Sequence, residues 1–168
     1  MRKCVLPAAF VAALLFMVPG VAAAGASCPS VSRVTAEQVL RLHSELMVIG
    51  LTCQKYYRVP ADIYGEYQVF TNTNADLLRE AEDSLVASMG AKQFHALRTK
   101  IANDASQRAA LMSPMEYCRA SVPFVGEVLA LNREGVRQYV GRLAEGVIQK
   151  TPSCLASSGR MAVASRND

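Results

Sequence analysis

Residues 35–53 read TAEQVLRLHSELMVIGLTC, and this stretch decides the fold class. Apolar side chains recur in it every three or four positions, which places them on one face of an α-helix. Further apolar residues widen that face beyond half of the helix circumference, more than a helix with one buried edge requires. The stretch therefore predicts a central helix with neighbours on several sides. The apolar face contains Val39, Leu42, Leu46, Ile49 and Cys53, and the residues that widen it are Leu40, Met47, Val48 and Leu51.

Local signals predict where this helix begins and ends. Thr35 is suited to capping the free backbone N–H groups of the first turn, and Gln38 stands where a capping box has its second partner. At the other end, Pro60 disfavours helical geometry at Val59, so the helix must end before that residue. These signals predict a helix over residues 35–53.

The same periodicity continues through two further stretches. One extends from Asp62 to Met89, and its segment 71–74 is poor in helix formers. That segment leaves open whether residues 62–89 form one helix or two. The other stretch extends from Lys92 to Met112, and no strand-like alternation accompanies either of them.

A capping motif predicts another helix after residue 112. Ser113 is its N-cap, Pro114 its first helical residue and Glu116 the capping-box partner. The stretch from residue 132 is more polar and has a weaker apolar helix face, and Pro152 ends it. Short connections between long helices make neighbours run in opposite directions, so we expect an all-α protein, an antiparallel bundle of four to five helices stapled by disulfides.

Residues 1–26 have the layout of a cleaved secretory signal peptide. Residues 1–3 supply positive charge, and residues 5–18 form an apolar run without charges. Pro19 and Gly20 then precede small residues that contain an A-x-A-like cleavage site within 22–26. The apolar run is short for a membrane span of about 20 residues, so we expect cleavage.

The remaining chain has the size of one domain. Removal of the signal leaves 142 of the 168 residues, for which we expect a single helical domain at 27–154 and a flexible C-terminal tail at 155–168. The signal contains two of the 18 basic residues and none of the 14 acidic ones, so the remaining 16 basic and 14 acidic residues give a net charge of +2. This small charge argues against nucleic-acid binding. No second apolar run is long enough for stable membrane insertion after signal cleavage.

The cysteines predict two disulfides. Cys4 leaves with the signal, and the even number that remains is typical of an exported protein, with three pairings available. Cys53 and Cys118 both lie on core-facing stripes, so we expect them to pair inside the bundle. Cys28 and Cys154 lie in short Pro/Ser contexts at the two ends of the domain, which they are expected to join. The alternative pairs Cys28 with Cys53 and Cys118 with Cys154.

Histidine and methionine provide the candidate metal ligands. His43 and His95 are the two histidines of the chain, and Met47 shares a helix face with His43. Met112 and Met115 lie three residues apart across a predicted helix break. Imidazole and thioether ligands suit copper, and a bundle with one histidine and one methionine is also suited to haem. Such residues more often serve as boundary and core residues, so we expect no cofactor.

The sequence contains no catalytic motif. It has no GxSxG, no HExxH and no glycine-rich phosphate loop, so we expect no enzyme activity. We expect instead a periplasmic or secreted binding or interaction module, whose partner is another envelope or extracellular protein or a small ligand. The alternative is a ligand-holding bundle that binds copper or non-covalent haem near His43 and Met47.

Overall fold

A computed structural model describes residues 28–56 and 62–155. All regular secondary structure in these two ranges is helical, which confirms the all-α class. The helices are α1 (Val31–Cys53), α2 (Ile63–Thr73), α3 (Ala75–Met89), α4 (Ala91–Ala110), α5 (Pro114–Leu129) and α6 (Arg133–Lys150), and residues 152–155 form one more helical turn.

The described ranges contain more helices than the four to five expected, because the stretch 62–89 divides at Asn74. The backbone of Asn74 leaves helical geometry, with φ −104° and ψ 15°. Its side-chain amide donates to the Phe70 carbonyl oxygen at 2.9 Å and so occupies an acceptor at the end of α2. The question left open by the sequence is therefore answered by two helices, α2 and α3.

Helix α1 begins one turn earlier than predicted. Ser30 is its N-cap, and the Ser30 hydroxyl accepts a hydrogen bond from the backbone N–H of Arg33 at 3.3 Å. Thr35 lies inside the helix, where its hydroxyl donates to the Val31 carbonyl oxygen at 2.9 Å. The predicted cap at Thr35 was wrong, because Ser30 is the residue whose side chain accepts a hydrogen bond from a free backbone N–H group of the first turn. The predicted end at Cys53 is confirmed.

Helix α1 lies at the centre of the bundle and contacts each of the other five helices. Leu46 and Ile49 are buried in the core. Gly50 allows α2 to approach closely, since a Cβ atom built there would lie 3.4 Å from the Cβ atom of Tyr67. The predicted apolar face has one exception, because Leu51 is 47% exposed. The prediction of a central helix with neighbours on several sides is confirmed.

Contacts between helices show how neighbours are arranged. Gly90 alone separates α3 from α4, and its positive φ of 82° suits a residue without a side chain. Glu82 and Arg98 lie eight residues to either side of Gly90 and form an ion pair of 3.6 Å, so α3 and α4 run in opposite directions. Cys53 at the end of α1 is bonded to Cys118 in the first turns of α5, which brings the end of α1 beside the start of α5.

Helix α4 runs parallel to α1. Arg41 on α1 lies 4.0 Å from the Asp104 carboxylate on α4. One turn further along both helices, Glu45 is paired with Arg108. The C-terminal end of α4 therefore reaches the same end of the bundle as Cys53 and the start of α5.

Both predicted disulfides are present. Cys28 is bonded to Cys154 across 126 residues, and Cys53 to Cys118 across 65 residues. Cys53 and Cys118 are completely buried. The predicted pairing is confirmed and the alternative pairing was wrong. Two disulfides fit an oxidising compartment outside the cytoplasm.

Two predicted segments lie outside the described residues. They are the signal peptide at 1–26 and the tail at 155–168, of which Leu155 alone is described, as an exposed residue of the last helical turn. Within residues 28–56 and 62–155, no helix combines the length and the apolarity that a bilayer crossing requires.

Candidate functional site

A groove lies between α1, α4 and α5, at the end of the bundle that contains the Cys53–Cys118 disulfide. Its volume is about 350 Å³, and it is open to solvent along one side. The lining is mostly apolar and includes four polar side chains. The apolar residues are Ile49, Met112, Ala120 and Phe124, and the polar residues are Glu45, Arg108, Tyr117 and Ser121.

A capping box positions the side of the groove where α4 meets α5. The Ser113 hydroxyl accepts a hydrogen bond from the Glu116 backbone N–H at 3.4 Å, and the Glu116 carboxylate accepts from the Ser113 backbone N–H at 3.1 Å. These bonds confirm the predicted motif, and Pro114 occupies the first position of α5. The hydrogen bonds from Ser113 hold the pKa of Glu116 below its usual range. The cap fixes the direction in which the chain leaves Met112.

Three large apolar side chains are exposed at this turn, and we call Leu111, Met112 and Met115 the apolar turn. Leu111 is 83% exposed, and the two methionines are also exposed. Met112 belongs to both the apolar turn and the groove, so the two surfaces are continuous. Clustered exposed apolar residues beside polar ones are typical of interaction sites, and flexible methionine side chains adapt to varied partners.

The polar residues that line the groove include an ion pair and a tyrosine whose hydroxyl is buried. Glu45 and Arg108 are joined across α1 and α4. The Tyr117 hydroxyl is buried close to Glu45 and Ser121. Burial and the negative charge of Glu45 raise the pKa of Tyr117 to about 12. Tyr117 is therefore protonated, and a donor, at physiological pH.

The candidate metal ligands lie elsewhere. His43 Nε2 is 3.0 Å from the Tyr67 hydroxyl oxygen on α2, and the two rings are 5.4 Å apart. Met47 is half-buried on the next turn of α1, whereas Met112 lies in the groove. His95 is exposed on α4. Among the described residues, no three or more His, Cys, Asp or Glu side chains are grouped to hold a metal ion. Metal binding at His43 and Met47 stays a prediction.

The environment of His43 predicts a loss of stability in mild acid. Burial and the positive charge of Arg98 lower the pKa of His43 from 6.5. Below about pH 6.5 the unfolded chain therefore binds a proton more readily than the folded protein, and protonation favours unfolding. Above that pH, His43 is neutral in both the folded and the unfolded protein, so its protonation no longer lowers the free energy of unfolding.

The measurement is urea unfolding at two pH values. At about pH 7.5 the histidine of the unfolded chain is mostly neutral, and at about pH 5 it is mostly charged. We expect His43→Gln to lose less stability than the wild type between these two pH values. His95→Gln is the matched control, since His95 is exposed, and should behave like the wild type. A wild-type pH dependence in His43→Gln would contradict the prediction.

Sequence reasoning did not identify the groove. Its residues come from three helices and the turn between α4 and α5, and Glu45 and Arg108 are 63 residues apart in the chain. The available signal was the run Leu111 to Met115, where three large apolar residues surround a helix break. Comparisons of this chain with protein-family models, with curated proteins and with solved structures gave no match.

Proposed function

We propose that this protein is a non-enzymatic binding module of the periplasm or the extracellular space. In this proposal, the groove between α1, α4 and α5 holds a segment of another protein of that compartment. The observation that carries the proposal is the apolar turn, which continues the apolar lining of the groove through Met112 onto exposed surface. A partner that covers these side chains removes them from water, which favours association.

The shape of the groove favours a protein segment over a small molecule. Small-molecule sites typically enclose 70–90% or more of their ligand. This groove is open along one side, and the exposed Leu111 and Met115 lie beyond its edge. A partner segment that inserts one apolar side chain into the groove and rests on the apolar turn uses both surfaces. Recognition of an amphipathic helix by an apolar groove follows the same physical scheme.

The Cys53–Cys118 disulfide supports the proposal because it joins two walls of the groove. It bonds α1 to α5 within about a turn of Ile49 and Tyr117. A wall held in place loses less conformational freedom when a partner binds, so more of the contact energy appears as affinity.

Copper or non-covalent haem binding at His43 and Met47 is the competing function. The hydrogen bond to Tyr67 engages one ring nitrogen of His43. No observation in residues 28–56 and 62–155 favours this function over the groove. Elemental analysis and the visible absorption spectrum of the purified protein distinguish the two, because stoichiometric copper or a haem band would support the competing function.

The proposal predicts that a charge in the groove weakens partner binding. Peptides selected from a displayed random library on the wild-type protein should be rich in apolar residues. We expect them to bind Met112→Glu at least about tenfold more weakly, a loss of about 1.4 kcal/mol, because a carboxylate resists burial in an apolar contact. Titration of the purified variants with the selected peptides measures the loss.

Val147→Glu is the matched control. Val147 on α6 is 41% exposed and Met112 is 44% exposed, so the two substitutions place the same charge at similarly exposed apolar positions. Val147→Glu should bind the selected peptides like the wild type. Peptides that bind Met112→Glu with unchanged affinity would place the binding surface elsewhere and contradict the proposal.

A further inference from the structure

The methionines that the structure describes differ in how far they are exposed to solvent. Met112 is 44% exposed and Met115 is 55% exposed, whereas Met47 and Met89 are half-buried on α1 and α3. A water-soluble oxidant has to reach the thioether sulfur of a methionine before it can react there. Within residues 28–56 and 62–155, the two methionines of the apolar turn are therefore the ones that such an oxidant reaches most readily.

Both exposed methionines belong to the surface that the proposed function uses. Met112 lines the groove, and Met115 lies three residues further along, in the first turn of α5. The capping box between Ser113 and Glu116 fixes the backbone that connects them. Neither methionine belongs to the buried core. A chemical change at these two side chains therefore alters the binding surface and leaves the core packing intact.

The reaction at each methionine is a two-electron oxidation by a peroxide. The thioether sulfur attacks one oxygen atom of hydrogen peroxide, the O–O bond breaks, and a sulfur–oxygen bond forms. The products are a sulfoxide and one molecule of water, so the sulfur is oxidised and the peroxide is reduced. A sulfoxide is polar, unlike the thioether, and disrupts interfaces that depend on methionine. A partner that covers the apolar turn would then have to remove a polar oxygen from water, which is unfavourable.

We propose that Met112 and Met115 form an oxidation site, and that their conversion to sulfoxides by a peroxide weakens partner binding at the groove. This inference rests on the proposed function and adds a means of regulation to it. The four cysteines of residues 28–56 and 62–155 are paired in disulfides, so they offer a peroxide no free thiol. Thioether groups are then the sulfur groups of this part of the chain that a peroxide can oxidise, and the exposed ones lie at the groove.

The test treats the purified protein, with both disulfides formed, with increasing amounts of hydrogen peroxide. Mass spectrometry of its peptides then identifies the oxidised methionines. We expect Met112 and Met115 to gain one oxygen atom each before Met47 and Met89 do. After removal of the peroxide, the treated protein should bind selected peptides that lack methionine and cysteine at least about fivefold more weakly. The same peptides, added before the peroxide, should slow oxidation at the apolar turn alone.

The decisive variant is Met112→Leu with Met115→Leu, because leucine is apolar, is similar in volume to methionine and has no sulfur. The variant keeps Met47, Met89 and Met161, so it shows whether oxidation at any of these positions affects binding. The readout is the ratio of the affinities before and after treatment of the same protein. We expect no change in this variant. The matched control, Met47→Leu with Met89→Leu, should lose affinity on treatment as the wild type does.

The other outcomes separate this inference from the proposed function. Oxidation of Met47 or Met89 ahead of the apolar turn would overturn the inference, and so would unchanged affinity of the oxidised wild type. Equal losses in the wild type and the Met112→Leu, Met115→Leu variant would place the effect at another residue and overturn it too. A parallel loss of stability to urea would assign the lost affinity to unfolding, with the same consequence. In each case the proposed function stands as long as Met112→Glu weakens peptide binding, and unchanged binding by Met112→Glu would contradict that function itself.

Discussion

Replacement of both Cys53 and Cys118 by alanine is expected to lower the free energy of unfolding by about 4 kcal/mol in the chain-entropy model. The disulfide closes a loop with a sequence separation of 65, and its loss gives the unfolded chain more freedom. Both cysteines are buried, so the truncated side chains also leave space in the core. Small proteins typically have a total stability of about 5–15 kcal/mol, so this loss is a large share.

Urea unfolding of the double variant and the wild type measures this loss. The matched control is Cys28→Ala with Cys154→Ala, which opens the larger loop at the ends of the domain. The control should keep wild-type affinity for groove-binding peptides, because Cys28 and Cys154 lie at the opposite end of α1 from the groove. The Cys53 and Cys118 variant should lose affinity, because α5 is no longer bonded to α1. Wild-type stability and affinity in that variant would contradict the prediction.

Leu46→Ala is expected to lower the free energy of unfolding by about 3 to 4 kcal/mol. Leu46 lies at the centre of α1, where neighbouring helices surround it and cannot easily fill the cavity that alanine leaves. The matched control is Leu51→Ala, the same substitution on the same helix at an exposed position. We expect the control to change stability by about 1 kcal/mol or less. Similar losses in the two variants would show that helix propensity, and not burial, determines the effect.

The fold class and the disulfide pairing were predictable because each depends on a periodic or positional signal. The apolar spacing around Leu46 and Ile49 identified the central helix. Cys53 and Cys118 belong to such stripes, which placed their sulfur atoms in one core. Cys28 and Cys154 lie just outside the helices at the two ends of the domain, and this shared position predicted that they pair with each other. These inferences required no knowledge of how the helices cross.

The start of α1 and the groove were not predictable in this way. Ser30 and Thr35 are both good capping residues, and the choice between them depends on whether one extra turn finds neighbours to pack against. The groove depends on the parallel arrangement of α1 and α4, which brings Arg108 to Glu45. The burial of the Tyr117 hydroxyl beside Glu45 is a property of three-dimensional packing, and no spacing in the sequence reports it.

The Cys28–Cys154 bond has a mechanical consequence. It connects the two ends of the helical domain directly, so a pulling force applied to the segments on either side passes through the sulfur atoms. The bundle between them then carries almost no load and is not stretched. Under tension between two attachment points, the oxidised protein should behave as a short inextensible link, and reduction of this bond should release the length of the chain that it bypasses.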